Sequence, residues 1–549
     1  MNRRTAILLF VLTWALIYLP HLGSDELRGE EARRILPARE MIETGDWIVP
    51  RLAGEVYSAK PPLINWLIAS SFLLTGHENE WTARLPNVVA LLGFGLFCIL
   101  FLAPWLGLAR SLHIALATIT TIALVDKSRM AEIETLLVVL TGSAMFVWMR
   151  FWAEDRSPWV TWLAPGAVLA VGALAKGPVN LVFFLLLVVC TLARARNLRS
   201  LLHPAVPCTL ILSLLPFTAW ALANLALTPS ADATTTDWWR QVAIRFRFEN
   251  IDWGDWAQQV LQIPLNFLPW LMPLAYALFL TARGRKRESV SDSSGRLDNV
   301  IGGSCLAILT GASFVLLLPQ GLPRYTMPLF PPAALVTVLL FSRLPLQHQR
   351  PYENFARRTV RVGILLIFVI ACIAPVVLIA QEKIIDVEGV ILAALLTIGG
   401  CVFVFRWGRR VAWQVEASLV IALGVAVTLL TIWPSRTGDP KAVAAARQIE
   451  TIAEESPHPL VIYAERRFRS SSQLRILFYL DPAIDSIGET GSLPDHAFRL
   501  VYRQPAGKQV NEVLAGRQIT VPGRLTLSGH AYLMRDVEAI QPEAVTGDG

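Results

Sequence analysis

Apolar runs long enough to cross a bilayer recur along this chain, separated by short polar stretches, and they set the first expectation. A helix needs about 20 apolar residues to span the hydrocarbon core, somewhat fewer when tilted or shielded. Runs meeting that measure lie near 5–22, 86–108, 111–126, 132–150, 159–176, 178–194, 204–226, 261–282, 299–318, 325–343, 361–381, 386–405 and 411–433. The length criterion thus predicts about thirteen membrane helices. The first run resembles a secretory leader, but no small-residue cleavage pattern follows it, so it is expected to stay as a span.

Two regions break the rhythm. The loop 23–85 opens with a stretch too polar for the bilayer, in which EEARRILPAREMIE has helical spacing with Leu36 and Met41 on its apolar side and Pro37 as a break or kink. After Pro61-Pro62, LINWLIASSFLLTG is apolar but short, the length of an interfacial or re-entrant helix. From about Pro434 charges appear throughout: 460–464, 497–503 and 530–536 read as strands, while AVAAARQIETIAEE and SSQLRILFYL have helical spacing. The expected architecture is therefore an all-α polytopic membrane domain, 1–433, with a small soluble α/β domain at 434–549.

Composition agrees: 54% of the 549 residues are hydrophobic and only 17% charged, outside the soluble globular range. The formal charge of +7 comes from arginines clustered between apolar runs rather than along one face, which argues for membrane topology and against nucleic acid. With Arg3 and Arg4 in the cytoplasm, Arg110, Arg150/Arg156, Arg194/Arg196/Arg199, Arg283/Arg285, Arg343/Arg350 and Arg406/Arg409/Arg410 all fall on the same side. The loop 23–85, the loop 227–260 and the tail are then expected on the far side. The six cysteines lie in or beside apolar segments without CxxC spacing, so they predict neither a disulfide framework nor a thiolate metal site.

Chemistry concentrates on the far side. Glu30-Glu31-x-Arg33 would place a carboxylate and a guanidinium together on a short helix, able to orient or deprotonate an acceptor beside a phosphate-binding cation; a solvated charged helix fits the spacing as well. Lys60, behind Tyr57 and before two prolines, suits a lipid phosphate or plain snorkelling at the interface. The turn from Asp126 to Glu134 carries Arg129, Glu132 and Glu134; Glu134 reads as the deeper, functional carboxylate and Glu132 as a rim charge. Lys176-Gly177-Pro178 and Arg324-Tyr325 combine a cation with irregular backbone at the membrane surface, fitting a phosphate headgroup or ordinary tight turns. The loop 227–260 mixes tryptophans with Arg245 and Arg247, the composition of an interfacial belt that could also cover a glycolipid.

In this order the motifs resemble the GT-C membrane glycosyltransferases of the aminoarabinose transferase (ArnT) and protein O-mannosyltransferase (PMT) superfamily. The resemblance runs from Glu-x-Arg through REMIETGDWIVPRLAGEVY-x-x-KPP, which contains Arg51 and Tyr57, to WTARLPN, the acid entering the fourth helix, the Lys-Gly turn and LPRYTMPLFPP. It implies a GT-C fold with periplasmic juxtamembrane helices in a bacterial inner membrane. It also implies inverting transfer of a sugar from an undecaprenyl (polyprenyl) phosphate carrier to a lipid A-like, glycan or protein acceptor, with membrane lipid as a further partner. Glu30 takes the position of the catalytic aspartate, Arg33 that of its companion and Glu134 that of a second aspartate. Lys60 and Arg324 match phosphate-contacting cations, and Glu31, Arg51, Tyr57, Arg129, Lys176, Arg245, Arg247 and Tyr325 complete the candidate substrate-binding set. The sequence departs from the pattern at both aspartates, now glutamates, and at Ala59, where the ArnT pattern has a glutamate. The loop 227–260 has no histidine, so the implied divalent metal lacks part of its ligand set and no cofactor is assigned. These departures leave a second reading open, a non-catalytic lipid-carrier translocase or binding scaffold on the same fold.

Overall fold

A computed structural model of the protein describes residues 1–228, 253–275, 292–318, 321–342, 346–380, 387–407, 413–431, 441–463, 471–480, 485–487, 496–503, 510, 519–527 and 530–537. The described helices begin with α1 (Arg3–Tyr18), α2 (Ala32–Thr44), α3 (Leu63–Thr75), α4 (Glu80–Leu106), α5 (Leu108–Ile119) and α6 (Ile122–Ser128). They continue with α7 (Glu134–Ala153), α8 (Pro158–Lys176), α9 (Val179–Arg194), α10 (Ala205–Leu227), α11 (Trp253–Leu265) and α12 (Asp292–Leu317). A 3-10 turn at Pro323–Leu329 leads into α13 (Phe330–Ser342), then α14 (Leu346–Ala380), α15 (Val387–Val402), α16 (Trp413–Thr431), α17 (Lys441–Glu454) and α18 (Ser471–Tyr479).

Among the described residues, seven helices are long and apolar enough to cross a membrane: α4, α7, α8, α10 and parts of the chain at Gly295–Leu317, Val360–Val377 and Val387–Arg406. The pair α5 and α6, bent by 66°, makes an eighth if it counts as one span. Among the described residues this gives seven or eight candidate spans, against about thirteen apolar runs in the sequence. Hydropathy finds apolar runs but not where backbone geometry cuts them. The run 325–343 is divided between the 3-10 turn and a 13-residue α13, while α1 and α9 stop at 16 residues. The run 261–282 extends beyond the described residues.

The chain packs as two compact units. The first, here the membrane unit, contains Met1–Ser24, Ala59–Ile64 and Arg84–Gly438. Asn2 caps α1 by accepting the Thr5 N–H at 2.8 Å, and α1 packs on α5 and α16. The core runs from Phe10 and Tyr18 through Phe94, Phe146 and Trp148 to Leu335 and Leu339. Gly177, at φ +73, closes α8 in a conformation that a side chain would strain, which lets the chain turn sharply into α9.

The second, the loop–tail unit, contains Asp25–Ser58, Asn65–Ala83 and Asp439–Gly549. Its five-stranded sheet has the order β4-β3-β5-β7-β6, formed by β3 (Leu460–Tyr463), β4 (Asp485–Ile487), β5 (Phe498–Arg503), β6 (Ile519–Leu527) and β7 (His530–Val537). β3 is parallel to β4 and β5, while β7 is antiparallel to β5 and β6. The helices and three strands expected in the tail are all present; β4 and β6 are additions. A short hairpin, β1 (Arg51–Leu52) with β2 (Glu55–Val56), belongs to the same unit. At 13 residues α3 is too short to span, as expected of an interfacial helix.

Candidate active site

In the membrane unit, three chain segments converge on one carboxylate. Glu134 is the first residue of α7, where burial leaves its side chain only 6% exposed. The irregular turn before it is pinned by the Asn87 amide, which donates to the Met130 carbonyl at 2.6 Å and the Glu132 carbonyl at 2.7 Å. Lys176, the last residue of α8, reaches Glu134 Oε1 with Nζ at 3.1 Å and is itself 7% exposed. Arg324, on the 3-10 turn, places Nε 3.5 Å from the same oxygen. Tyr325 follows, with its ring centroid 4.9 Å from Lys176 Nζ. Ionised groups this poorly solvated persist only when paired, so the carboxylate holds a lysine and an arginine side by side. Two cations brought together in this way can also meet a phosphate ester.

Beside this triad, Lys127 Nζ lies 3.1 Å from Glu132 Oε2. Glu132 is as inaccessible as Glu134, at 2%, so its expected place as a rim charge is corrected. Burial, then the neighbouring Glu134 charge, pushes the Glu132 carboxyl above its ordinary range, against the pull of Lys127 and Arg324. Arg129 has its terminal nitrogens committed to backbone: Nη1 donates to Ile17 O at 2.9 Å and Nη2 to Pro20 O at 2.6 Å. Lys60 is half-buried in the bend before Pro61, also within the membrane unit.

The loop–tail unit carries the other candidates. α2 starts at Ala32, so Glu30 and Glu31 sit in the turn before it, not on the helix as expected. The cause is local: Gly29 takes φ +53, and the fully buried Glu31 folds its Oε2 back to accept the Arg28 N–H at 2.7 Å, as in a capping box. Glu30, 37% exposed, pairs with Arg34 at 2.9 Å; Arg34 is 2% exposed and also donates to the Tyr57 hydroxyl at 3.3 Å. Arg34, one residue beyond the expected Arg33, is thus a cation partner of Glu30. Asn65 Nδ2 holds the Arg34 carbonyl at 2.7 Å. Arg51, in β1, reaches the Gly54 carbonyl at 3.5 Å across its own hairpin. Glu40 accepts the Gly54 N–H at 3.2 Å, and burial lifts its carboxyl to about 7 against backbone hydrogen bonds from Gly54 and Ala53.

The structure thus gathers Glu134, Lys176, Arg324 and Tyr325 in one unit, and Glu30, Glu31 and Tyr57 around Arg34 in the other. Arg245 and Arg247 lie outside the described residues. Among the described residues no group of three His, Cys, Asp or Glu side chains could hold a metal ion. Arg34 and Asn87 escaped the sequence reading, although each left a trace: Arg34 is four residues after Glu30, and Asn87 is a lone amide entering an apolar run.

The helical architecture, the buried charges at helix ends and the small appended sheet define a mostly helical polytopic membrane protein. Residues 2–227 match the family model described as dolichyl-phosphate-mannose-protein mannosyltransferase (PMT). The fold is that of ArnT from Cupriavidus metallidurans: the structure bound to undecaprenyl phosphate aligns with a TM-score of 0.66 over 97% of this chain and 98% of that one, at 17% identity. Among relatives, the undecaprenyl phosphate-alpha-4-amino-4-deoxy-L-arabinose arabinosyl transferase of Shewanella sediminis is 27% identical over 47% of this chain and 48% of its own length. That of Erwinia tasmaniensis is 27% identical over 60% and 58%. The matched stretch spans about half the length of the first of these relatives. The chain is accordingly similar to ArnT in fold and, over residues 2–227, to the PMT family model.

Proposed function

We propose that the protein is an inverting glycosyltransferase that takes a sugar from an undecaprenyl (polyprenyl) phosphate carrier and passes it to a lipid A-like, glycan or protein acceptor at the periplasmic face of a bacterial inner membrane. The observation that carries this reading is the Glu134–Lys176–Arg324 cluster, a buried carboxylate that gathers a lysine and an arginine at one place. Residues 1–433 act as the membrane catalytic part and 434–549 as a periplasmic domain.

Lys60, Lys176 and Arg324, with Arg245 and Arg247, hold the phosphate, Tyr325 lines the same region, and Glu134 keeps the two cations in register. Glu30 takes the proton of an acceptor hydroxyl, with Arg33 and Arg34 as companions and Glu31 shaping the turn. The acceptor oxygen attacks the anomeric carbon opposite the phosphate. The carbon–oxygen bond to phosphate breaks, configuration inverts, and the bonding pair leaves on polyprenyl phosphate. The leaving group is already stable, so positioning and phosphate electrostatics carry much of the barrier reduction.

The test is release of free undecaprenyl phosphate by the purified protein in lipid nanodiscs, given a set of undecaprenyl phosphate-sugars and extracts of lipid A, surface polysaccharide and envelope protein. Acceptor-dependent release supports transfer. No release with any donor and acceptor would overturn it in favour of a translocase or scaffold.

A further inference from the structure

The segment that delivers Glu30 is neither helix nor strand, so its backbone polar groups need partners from elsewhere. Leu27, fully buried, finds both on one helix. Its N–H donates to the Tyr479 hydroxyl at 2.8 Å, and its carbonyl accepts from Arg475 Nη1 at 3.3 Å. Tyr479 and Arg475 are four residues apart on α18 and share a face. One residue earlier, Glu26 Oε1 accepts the N–H groups of Ala442 and Val443, supplying an N-terminal cap to α17 from a distant part of the chain. On the other side of Glu30, Arg39 of α2 donates to the Phe478 carbonyl at 3.2 Å, and its guanidinium lies 5.1 Å from the Phe478 ring centroid. The Tyr479 hydroxyl is also hydrogen-bonded to Glu80; burial and that carboxylate push the phenol up, so it stays protonated.

We propose that α18 is a positioning element for the Glu30 turn, with the Tyr479 hydroxyl as its principal tie and Arg475 and the Phe478 carbonyl as supports. This rests on the reading of Glu30 as the reacting carboxylate. Tyr479 touches no substrate; it acts through Leu27, three residues before Glu30. The fold gives the tail sheet a reason to be attached: its helices supply the hydrogen bonds that a short exposed turn cannot supply to itself. A turn held at both ends keeps its carboxylate in one place, and a misplacement of about 1 Å at a reacting group costs on the order of a hundredfold in rate.

The test uses full-length Tyr479→Phe in nanodiscs, which keeps the ring and removes the hydroxyl, with Arg475→Gln as a second variant. Amide hydrogen exchange across 26–31 is expected to rise, while exchange across β5 and β7 stays at the wild-type level and shows that the sheet remains folded. Undecaprenyl phosphate binding is expected to be unchanged. Turnover with a donor that supports the wild type is expected to fall about ten- to hundredfold at constant donor KM. Unchanged exchange across 26–31 in both variants, or raised exchange with wild-type turnover, would overturn the proposal. A wild type that turns over no donor would instead strike the transferase reading, and the exchange arm would still decide whether α18 holds the turn.

Discussion

Two carboxylates anchor the candidate chemistry, and their surroundings differ in kind. Glu134 is enclosed by the membrane unit and gripped by a lysine and an arginine from distant parts of the chain, whereas Glu30 lies in a partly open turn, paired with the buried Arg34. Withdrawing a cation from an enclosed carboxylate leaves an uncompensated charge, but altering a solvated carboxylate leaves the fold intact. Glu134 is thus bound into stability and binding together, while Glu30 stands where an acceptor could reach it. The contrast suits a division of labour between a buried anion seat and an accessible proton acceptor.

Lys176→Met should show the largest effect, because it removes the better-buried and closer cation from the enclosed Glu134. A loss of about 3–5 kcal/mol in stability, with weakened undecaprenyl phosphate binding, is expected from thermal unfolding and ligand titration. Equal stability and binding would remove the distinction between the two centres. Glu30→Gln should do the opposite, lowering turnover about 10²–10⁴-fold with unfolding temperature and carrier affinity unchanged. Retained turnover would end its role as base. Asn87→Leu tests how Glu134 is held: two buried carbonyls lose their donor, and about 1–3 kcal/mol of stability should go with them in the same unfolding assay.

The smallest effect is expected at Glu40. Its carboxyl is lifted from the ordinary 4.5 to about 7, so across that window the folded protein keeps a proton that the unfolded chain has released. Stability should therefore fall as pH rises from about 4.5 to 7, and Glu40→Gln should flatten that slope. An identical slope in the variant would assign the pH dependence to other groups.

Much of this was legible in the order of residues. Apolar runs located the helices of the membrane unit, the short LINWLIASSFLLTG was recognisable as a non-spanning helix, and β3, β5 and β7 followed from their composition. Other features were hidden for physical reasons. β6 carries Pro522 and Gly523 at a register shift in its pairing with β7, which disguises it as a turn. Hydropathy marked the apolar runs but could not see the 3-10 turn or the 66° bend that divide some of them. The start of α2 depended on Gly29 and on Glu31 turning backward, and the pairing of Glu30 with Arg34 became visible only there. Lys176 and Arg324 were each visible as a cation near a turn, but their meeting at Glu134 is a tertiary fact.

That meeting also orders the protein's biogenesis. A ribosome delivers Glu134 to the membrane first, Lys176 only 42 residues later, and Arg324 after several more helices. Until Lys176 arrives, the carboxylate has yet to meet its partner from α8, which favours holding α7 at the insertion machinery until α8 can enter with it. Arg324 can join them only after the helices between have been made.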